Sequence, residues 1–142
     1  MEITSASEQE TQKIGENLAE SLRAGDIVCL YGRLGAGKTV LVKGIAEGLG
    51  VKKRILSPTF IFMRSYPFNK NGKKLTLRHL DLYRIEDVKE LKSLNLSEIF
   101  EEEGIFILEW ASKVENILPK KRIDVEIEVL NENERRITVS RH

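Results

Sequence analysis

Gly32-Arg33-Leu34-Gly35-Ala36-Gly37-Lys38-Thr39 follows the apolar run Ile27-Val28-Cys29-Leu30-Tyr31 and opens a periodic stretch that ends at Gly50. A short uninterrupted apolar run is the mark of a strand buried on both faces. Beyond the glycines, Leu41, Ile45 and Leu49 fall on one face of a helix from Thr39 to about Leu49, and Gly50 is its stop. Strand, glycine turn and helix in that order begin a βαβ unit. The eight residues match G-x-x-x-x-G-K-[ST] at each required position. Glycine lets successive N–H groups curl inward on an anion, and the turn runs into a helix N-terminus, whose free amides and dipole favour negative charge. The pattern reads as a phosphate-binding loop for a nucleoside triphosphate. Arg33, Leu34, Gly35, Ala36 and Gly37 supply its backbone, Lys38 can reach the β- and γ-phosphates, and Thr39 offers a hydroxyl to Mg2+.

Upstream, Ser7-Glu8-Gln9-Glu10 has the form of a capping box. Ile14, Leu18 and Leu22 continue it as one stripe of an amphipathic helix that Gly25 closes. Downstream, Phe60 to Tyr66 reads as a strand, Asn69-Lys70-Asn71-Gly72 as a turn, and Leu75 to Tyr83 as the returning strand of a hairpin. Asp87 to about Phe100 carries Val88, Leu91, Leu94 and Ile99 at the spacing of a broken helix. Ile105-Phe106-Ile107-Leu108 is a second buried run, the pattern of a central parallel strand. Ile123, Val125, Ile127 and Val129 alternate with acids, Asn131 to Glu134 turns the chain, and Arg136 to Ser140 returns. No repeat, linker or low-complexity tract interrupts this order. The expectation is one α/β domain over residues 1–142, with parallel central strands and an antiparallel portion.

With 41% hydrophobic and 32% charged residues, the chain has the balance of a globular domain with a real core. A net charge of +1 does not suit a dedicated nucleic-acid binder, though it leaves room for brief contact with RNA. Lys52-Lys53-Arg54, Lys73-Lys74 and Lys120-Lys121-Arg122 read as solvated faces. The single cysteine, Cys29, excludes an internal disulfide and reads as a buried small hydrophobe. No stretch approaches the roughly 20 apolar residues of a membrane helix, and MEITSASEQE lacks the features of a signal peptide. A cytoplasmic location is expected.

A magnesium site beside the loop needs a carboxylate at a neighbouring strand end. Glu109 ends the run Ile105 to Leu108, and Asp81 ends the segment Leu75 to Leu80. The two acids divide the work in this reading: Glu109 coordinates the metal, directly or through water, and Asp81 binds a metal water or positions the attacking one. Thr59, in Ser57-Pro58-Thr59-Phe60, lies where a hydroxyl could sense the γ-phosphate, although Ser-Pro-Thr is also an ordinary turn. His79 is open to two readings, a proton shuttle beside Asp81 or a packed strand histidine. Trp110 can stack on a base or a partner, or pack in the core. Arg64 and Arg84 are the arginines near enough to stabilise charge.

Taken together, the loop at 32–39, Ser57-Pro58-Thr59-Phe60, His79-Leu80-Asp81-Leu82-Tyr83-Arg84 and Leu108-Glu109-Trp110 resemble, in order and spacing, the bacterial TsaE (YjeE) proteins. The resemblance covers nearly the whole chain, from the Thr11…Gly15 helix to the closing hairpin with Arg135. It implies a three-layer α/β/α P-loop NTPase fold with a mixed, mainly parallel central sheet and an antiparallel C-terminal hairpin. It also implies ATP hydrolysis, weak in the isolated protein, in the threonylcarbamoyladenosine modification of tRNA with the TsaD and TsaB subunits. Residue by residue, it implies Thr39 and Glu109 at magnesium, Lys38 and the loop amides on phosphate, Asp81 and Thr59 near the γ-phosphate, and Thr11 and Arg135 near the nucleotide. Arg33 departs from the family, which usually has an acid there.

Two alternatives stand beside an ATPase. A small-molecule P-loop kinase would need an arginine-bearing lid, and no insertion here is long enough for one. A nucleotide-dependent docking module would bind partners without useful turnover. The guanine-reading N-K-x-D motif is absent, which favours adenine.

Overall fold

The computed structural model describes residues 1–33, 35–55, 63–83, 89 and 95–142. In chain order the elements are β1 (Glu2–Ser5), α1 (Glu8–Glu20), β2 (Ile27–Tyr31), α2 (Lys38–Leu49), β3 (Met63–Lys70), β4 (Lys73–Asp81), α3 (Leu96–Ile99), β5 (Ile105–Glu109), a 3-10 helix (Ala111–Ile117), β6 (Ile123–Val129) and β7 (Arg135–Arg141). Seven strands form one sheet in the order β1-β7-β6-β2-β5-β4-β3.

Parallel pairing is confined to the four central strands, where β2 lies between β6 and β5 and β4 lies beside β5. The three outer pairings, β1–β7, β6–β7 and β3–β4, are antiparallel. Three pairings are parallel and three antiparallel, so the sheet is evenly mixed and not mainly parallel as expected. The β3–β4 and β6–β7 hairpins fold back through short turns, and β1 adds antiparallel to β7 from the other end of the chain. At β3–β4 the turn is Asn71-Gly72, with φ +52° and +79°. Positive φ at both central residues is the tight reversal that matches strand twist.

Each all-apolar strand serves both faces by alternation. Val28, Leu30, Ile105 and Ile107 join a cluster with Leu18 and Leu22 from the α1 segment and Leu41, Val42 and Ile45 of α2. Ile27, Cys29, Phe106 and Leu108 join a second cluster with Leu96, Ala111, Val114 and Leu118. Helices thus cover both faces.

α1 begins at Ser7, whose Oγ accepts the Glu10 N–H at 3.1 Å. The Glu10 carboxylate reaches back one residue further than a capping box requires, to the Ala6 N–H. α1 ends at Glu20 with Ser21 as its cap, so Gly25 does not close it. Gly25 instead turns the chain into β2, at φ +94°, and its N–H donates to the Gly104 carbonyl at 2.7 Å.

α1 and α2 meet almost backbone to backbone. A Cβ on Gly44 would stand 2.1 Å from the Gln12 carbonyl oxygen, one on Gly15 2.6 Å from that of Leu41, and one on Gly48 2.7 Å from the Ala19 Cβ. Glycine is needed at this seam for space. Among the described residues no helix is long and apolar enough to cross a membrane.

Candidate functional site

The glycine loop leaves the end of β2 and feeds α2. Gly35 and Gly37 have φ of +79° and +107°, conformations L side chains rarely adopt, and a Cβ on either would touch nothing. Here glycine is needed for the turn itself. Gly37 caps α2 without any side-chain hydrogen bond to the helix's first amides. Those N–H groups keep their capacity for an anion.

Lys38 is buried at 6% exposure. Its Nζ donates to the Gly32 carbonyl at 2.5 Å and the Arg33 carbonyl at 3.1 Å, and sits 4.3 Å from the centroid of the Trp110 ring. Burial pushes its pKa down, and the negative charges of Glu109 and Asp81 partly restore it.

Asp81 and Glu109 end adjacent parallel strands and are direct register partners, with Leu30 of β2 on the other side of Glu109. Leu77, four residues before Asp81, and Ile107, two before Glu109, face the cluster under α1 and α2, so the alternation of β4 and β5 turns His79, Asp81 and Glu109 toward that same side. Burial raises the Asp81 pKa. The Tyr83 N–H, donating to its carboxylate at 3.0 Å, opposes the rise, Glu109 adds to it, and His79 and Lys38 lower it. Glu109 is 4% exposed and His79 1%. Glu109 Oε2 and His79 Nε2 share a hydrogen bond at 2.5 Å. Trp110 follows in left-handed backbone, φ +61°, with its ring 5.0 Å from that of Tyr83.

Arg135 braces the loop from β7: its Nε donates to the Ala36 carbonyl at 3.0 Å and its Nη1 to the Asn131 carbonyl at 2.8 Å. It also lines a cleft of about 400 Å3 with Ser7, Thr11, Gly35, Gly37 and Asn133. Thr11 is buried in that wall, its hydroxyl bonded to Ser5 Oγ at 2.7 Å. Thr39 is exposed in the first turn of α2. Arg33 is exposed too, lining a neighbouring shallow cleft with Leu130 and Arg135.

The structure thus brings Lys38, Asp81 and Glu109 together, and sets Thr11 and Arg135 on one cleft beside Gly35, Ala36 and Gly37. Thr59, with its Ser57-Pro58 turn, Leu34 and Arg84 lie outside the described residues. Arg64 sits opposite His79 in the β3–β4 register, and its buried Nε has no hydrogen-bond partner among the described residues. His79 proves to be packed in the sheet, but its partner is Glu109 on the next strand and not Asp81 on its own. The period-two series Leu75, Leu77, His79, Asp81 carries the signal that this histidine shares a face with the acid. Only the strand order could supply its partner.

Fold and site define a mixed α/β protein whose glycine-rich loop joins a buried central strand to a helix N-terminus beside two strand-end acids. Residues 5–137 match the family model described as threonylcarbamoyl adenosine biosynthesis protein TsaE. The chain is 41% identical over 130 residues to the tRNA threonylcarbamoyladenosine biosynthesis protein TsaE of Bacillus subtilis, covering 92% of this chain and 78% of that one. It is 36% identical to the protein of the same name from Treponema pallidum, covering 99% and 100%. The crystal structure of Bacillus subtilis YdiB superposes with a TM-score of 0.80 at 32% identity, covering 99% of this chain and 84% of that chain. The chain belongs to the TsaE family of threonylcarbamoyladenosine biosynthesis.

Proposed function

We propose that this chain binds and hydrolyses ATP in the tRNA N6-threonylcarbamoyladenosine modification machinery, coupling turnover to the TsaD and TsaB subunits in the cytoplasm. In this reading residues 1–142 are a single three-layer α/β/α P-loop NTPase domain. The observation that carries it is the placing of Lys38, at the end of a glycine loop, within the electrostatic influence of two acids that end adjacent parallel strands.

The roles follow from chemistry. The amides of Arg33 to Lys38 hold phosphate oxygens, and Lys38 exchanges its two carbonyl partners for the β- and γ-phosphates. The Thr39 hydroxyl and the Glu109 carboxylate are hard oxygen donors that suit Mg2+. Among the described residues no three His, Cys, Asp or Glu side chains gather around one point, so phosphate oxygens and water would complete such a site. A bound magnesium ion neutralises charge between the phosphates. Asp81 orients the attacking water, with Thr59 near the γ-phosphate. Thr11 and Arg135 shape the nucleotide cleft.

ATP turnover by the purified chain, alone and with TsaD and TsaB, tests this. Lys38→Met should weaken nucleotide binding about tenfold or more, the scale of a lost charged hydrogen bond. Glu109→Ala should abolish hydrolysis while the fold, read by circular dichroism, is kept. An unchanged rate in Glu109→Ala would overturn the metal assignment. Failure to recover TsaD and TsaB in an ATP-dependent pull-down would overturn the coupling.

A further inference from the structure

The interior of the sheet holds a buried polar pair beside the nucleotide loop. His79 and Glu109 sit on adjacent strands at 1% and 4% exposure, joined Nε2 to Oε2 at 2.5 Å. A buried carboxylate left to itself is costly, so one oxygen with a fixed partner is a strong constraint on its rotamer. Oε1 has no hydrogen-bond partner among the described residues. Nδ1 of His79 is likewise buried without one. A buried N–H without an acceptor costs more than a bare lone pair. The surroundings therefore favour the tautomer with its proton on Nε2, donating to Glu109.

We infer that His79 is a positioning residue: it holds Glu109 Oε2 from behind, so that Oε1 is the oxygen presented to a divalent cation carried by the nucleotide. This rests on the reading of Glu109 as a magnesium ligand. The arrangement is an outer-shell hydrogen bond to a ligating carboxylate, of the kind whose loss typically weakens metal affinity tenfold to a hundredfold. The strand geometry explains why a histidine can do this. Residue 79 points to the same face as Asp81, and the parallel register sets residue 107 opposite it. The imidazole must therefore reach diagonally along β5 to residue 109, and a ring carrying its donor at the far nitrogen has that length.

The test titrates Mg2+ against a fluorescent ATP analogue bound to the full chain, with a parallel titration in EDTA, for wild type, His79→Leu and His79→Gln. His79→Leu fills similar volume without a donor, and the glutamine amide nitrogen can stand near Nε2. In His79→Leu the Mg2+ concentration for half-saturation should rise about tenfold, with metal-free analogue affinity unchanged. His79→Gln should stay within about threefold of wild type. If His79→Leu does not fold, His79→Asn replaces it, since its shorter amide stops short of Oε2. An unchanged Mg2+ requirement in the leucine or asparagine variant overturns the inference alone, as does a glutamine variant no better than leucine. A wild-type chain indifferent to Mg2+ overturns the metal reading and this inference with it.

Discussion

Replacing Gly44 by alanine sets two effects of opposite sign against each other, and the structure decides between them. Gly44 lies inside α2, where alanine is intrinsically favoured by about 0.8–1.0 kcal/mol. Its new Cβ would stand 2.1 Å from the Gln12 carbonyl oxygen and 2.9 Å from the carbon of that carbonyl. Both are backbone atoms of α1, so no rotamer can yield. Restoring ordinary contact near 3.4 Å needs the helices to part by about 1.3 Å. A gap of roughly 0.5–1 Å already forfeits a quarter to a half of each dispersion contact, and Leu18, Leu41, Val42 and Ile45 all pack near this seam. Overpacking costs typically about 1–3 kcal/mol, and an inflexible backbone clash belongs at the upper end. With the propensity gain subtracted, the net loss is about 2 kcal/mol. For a domain of this size that lowers Tm by roughly 6–10 °C. Thermal and urea unfolding followed by circular dichroism measure it. A Tm equal to or above wild type would refute the reasoning, because propensity would then have won. Gly48→Ala, whose nearest contact is the Ala19 Cβ at 2.7 Å, should cost less, and the reverse order would be equally damaging.

Asp81→Asn should be more stable than wild type at neutral pH while losing ATP turnover. Burial raises the folded pKa of Asp81 above its ordinary 3.8. The folded state therefore holds this proton to a higher pH than the unfolded chain, and wild-type stability falls as pH rises from about 3.8 through the raised value. Urea unfolding from pH 4 to 8 should show the gap between the two proteins widening across that window and then levelling. A constant gap would contradict the sign. Cys29, fully buried with its thiol pushed up to about 12, should resist a thiol reagent at pH 8 in the folded chain and react at once in denaturant. Rapid labelling of the native protein would show that β2 opens easily.

The parts of the fold written in local pattern were legible. β2, α2, β5 and β6 stand within a residue of where apolar runs and alternation put them, because each is buried on a face or faces that its own sequence reveals. β1 was not foreseen: its four residues carry one apolar side chain, Ile3, and form a strand only by pairing with β7, at least 130 positions away. The 3-10 helix buries only Ala111 and Val114, a spacing of three too brief to stand out. The glycine seam left a trace in Gly44 and Gly48, four apart in a helix interior, but its meaning depends on α1. At the site the same division holds. Lys38, Asp81 and Glu109 were named from motif and strand ends. The meeting of His79 with Glu109 depends on β4 lying beside β5, which no local pattern states.

The distance between those groups is not set by side chains. The loop's strand, the strand of Glu109 and the strand of Asp81 are successive rungs of one backbone ladder, each about 4.8 Å from the next. Apolar residues along β2, β4 and β5 can be exchanged for others of similar volume without altering that spacing. The site therefore tolerates drift in the core, while a one-residue slip of β4 against β5 would turn Asp81 to the opposite face and dismantle it.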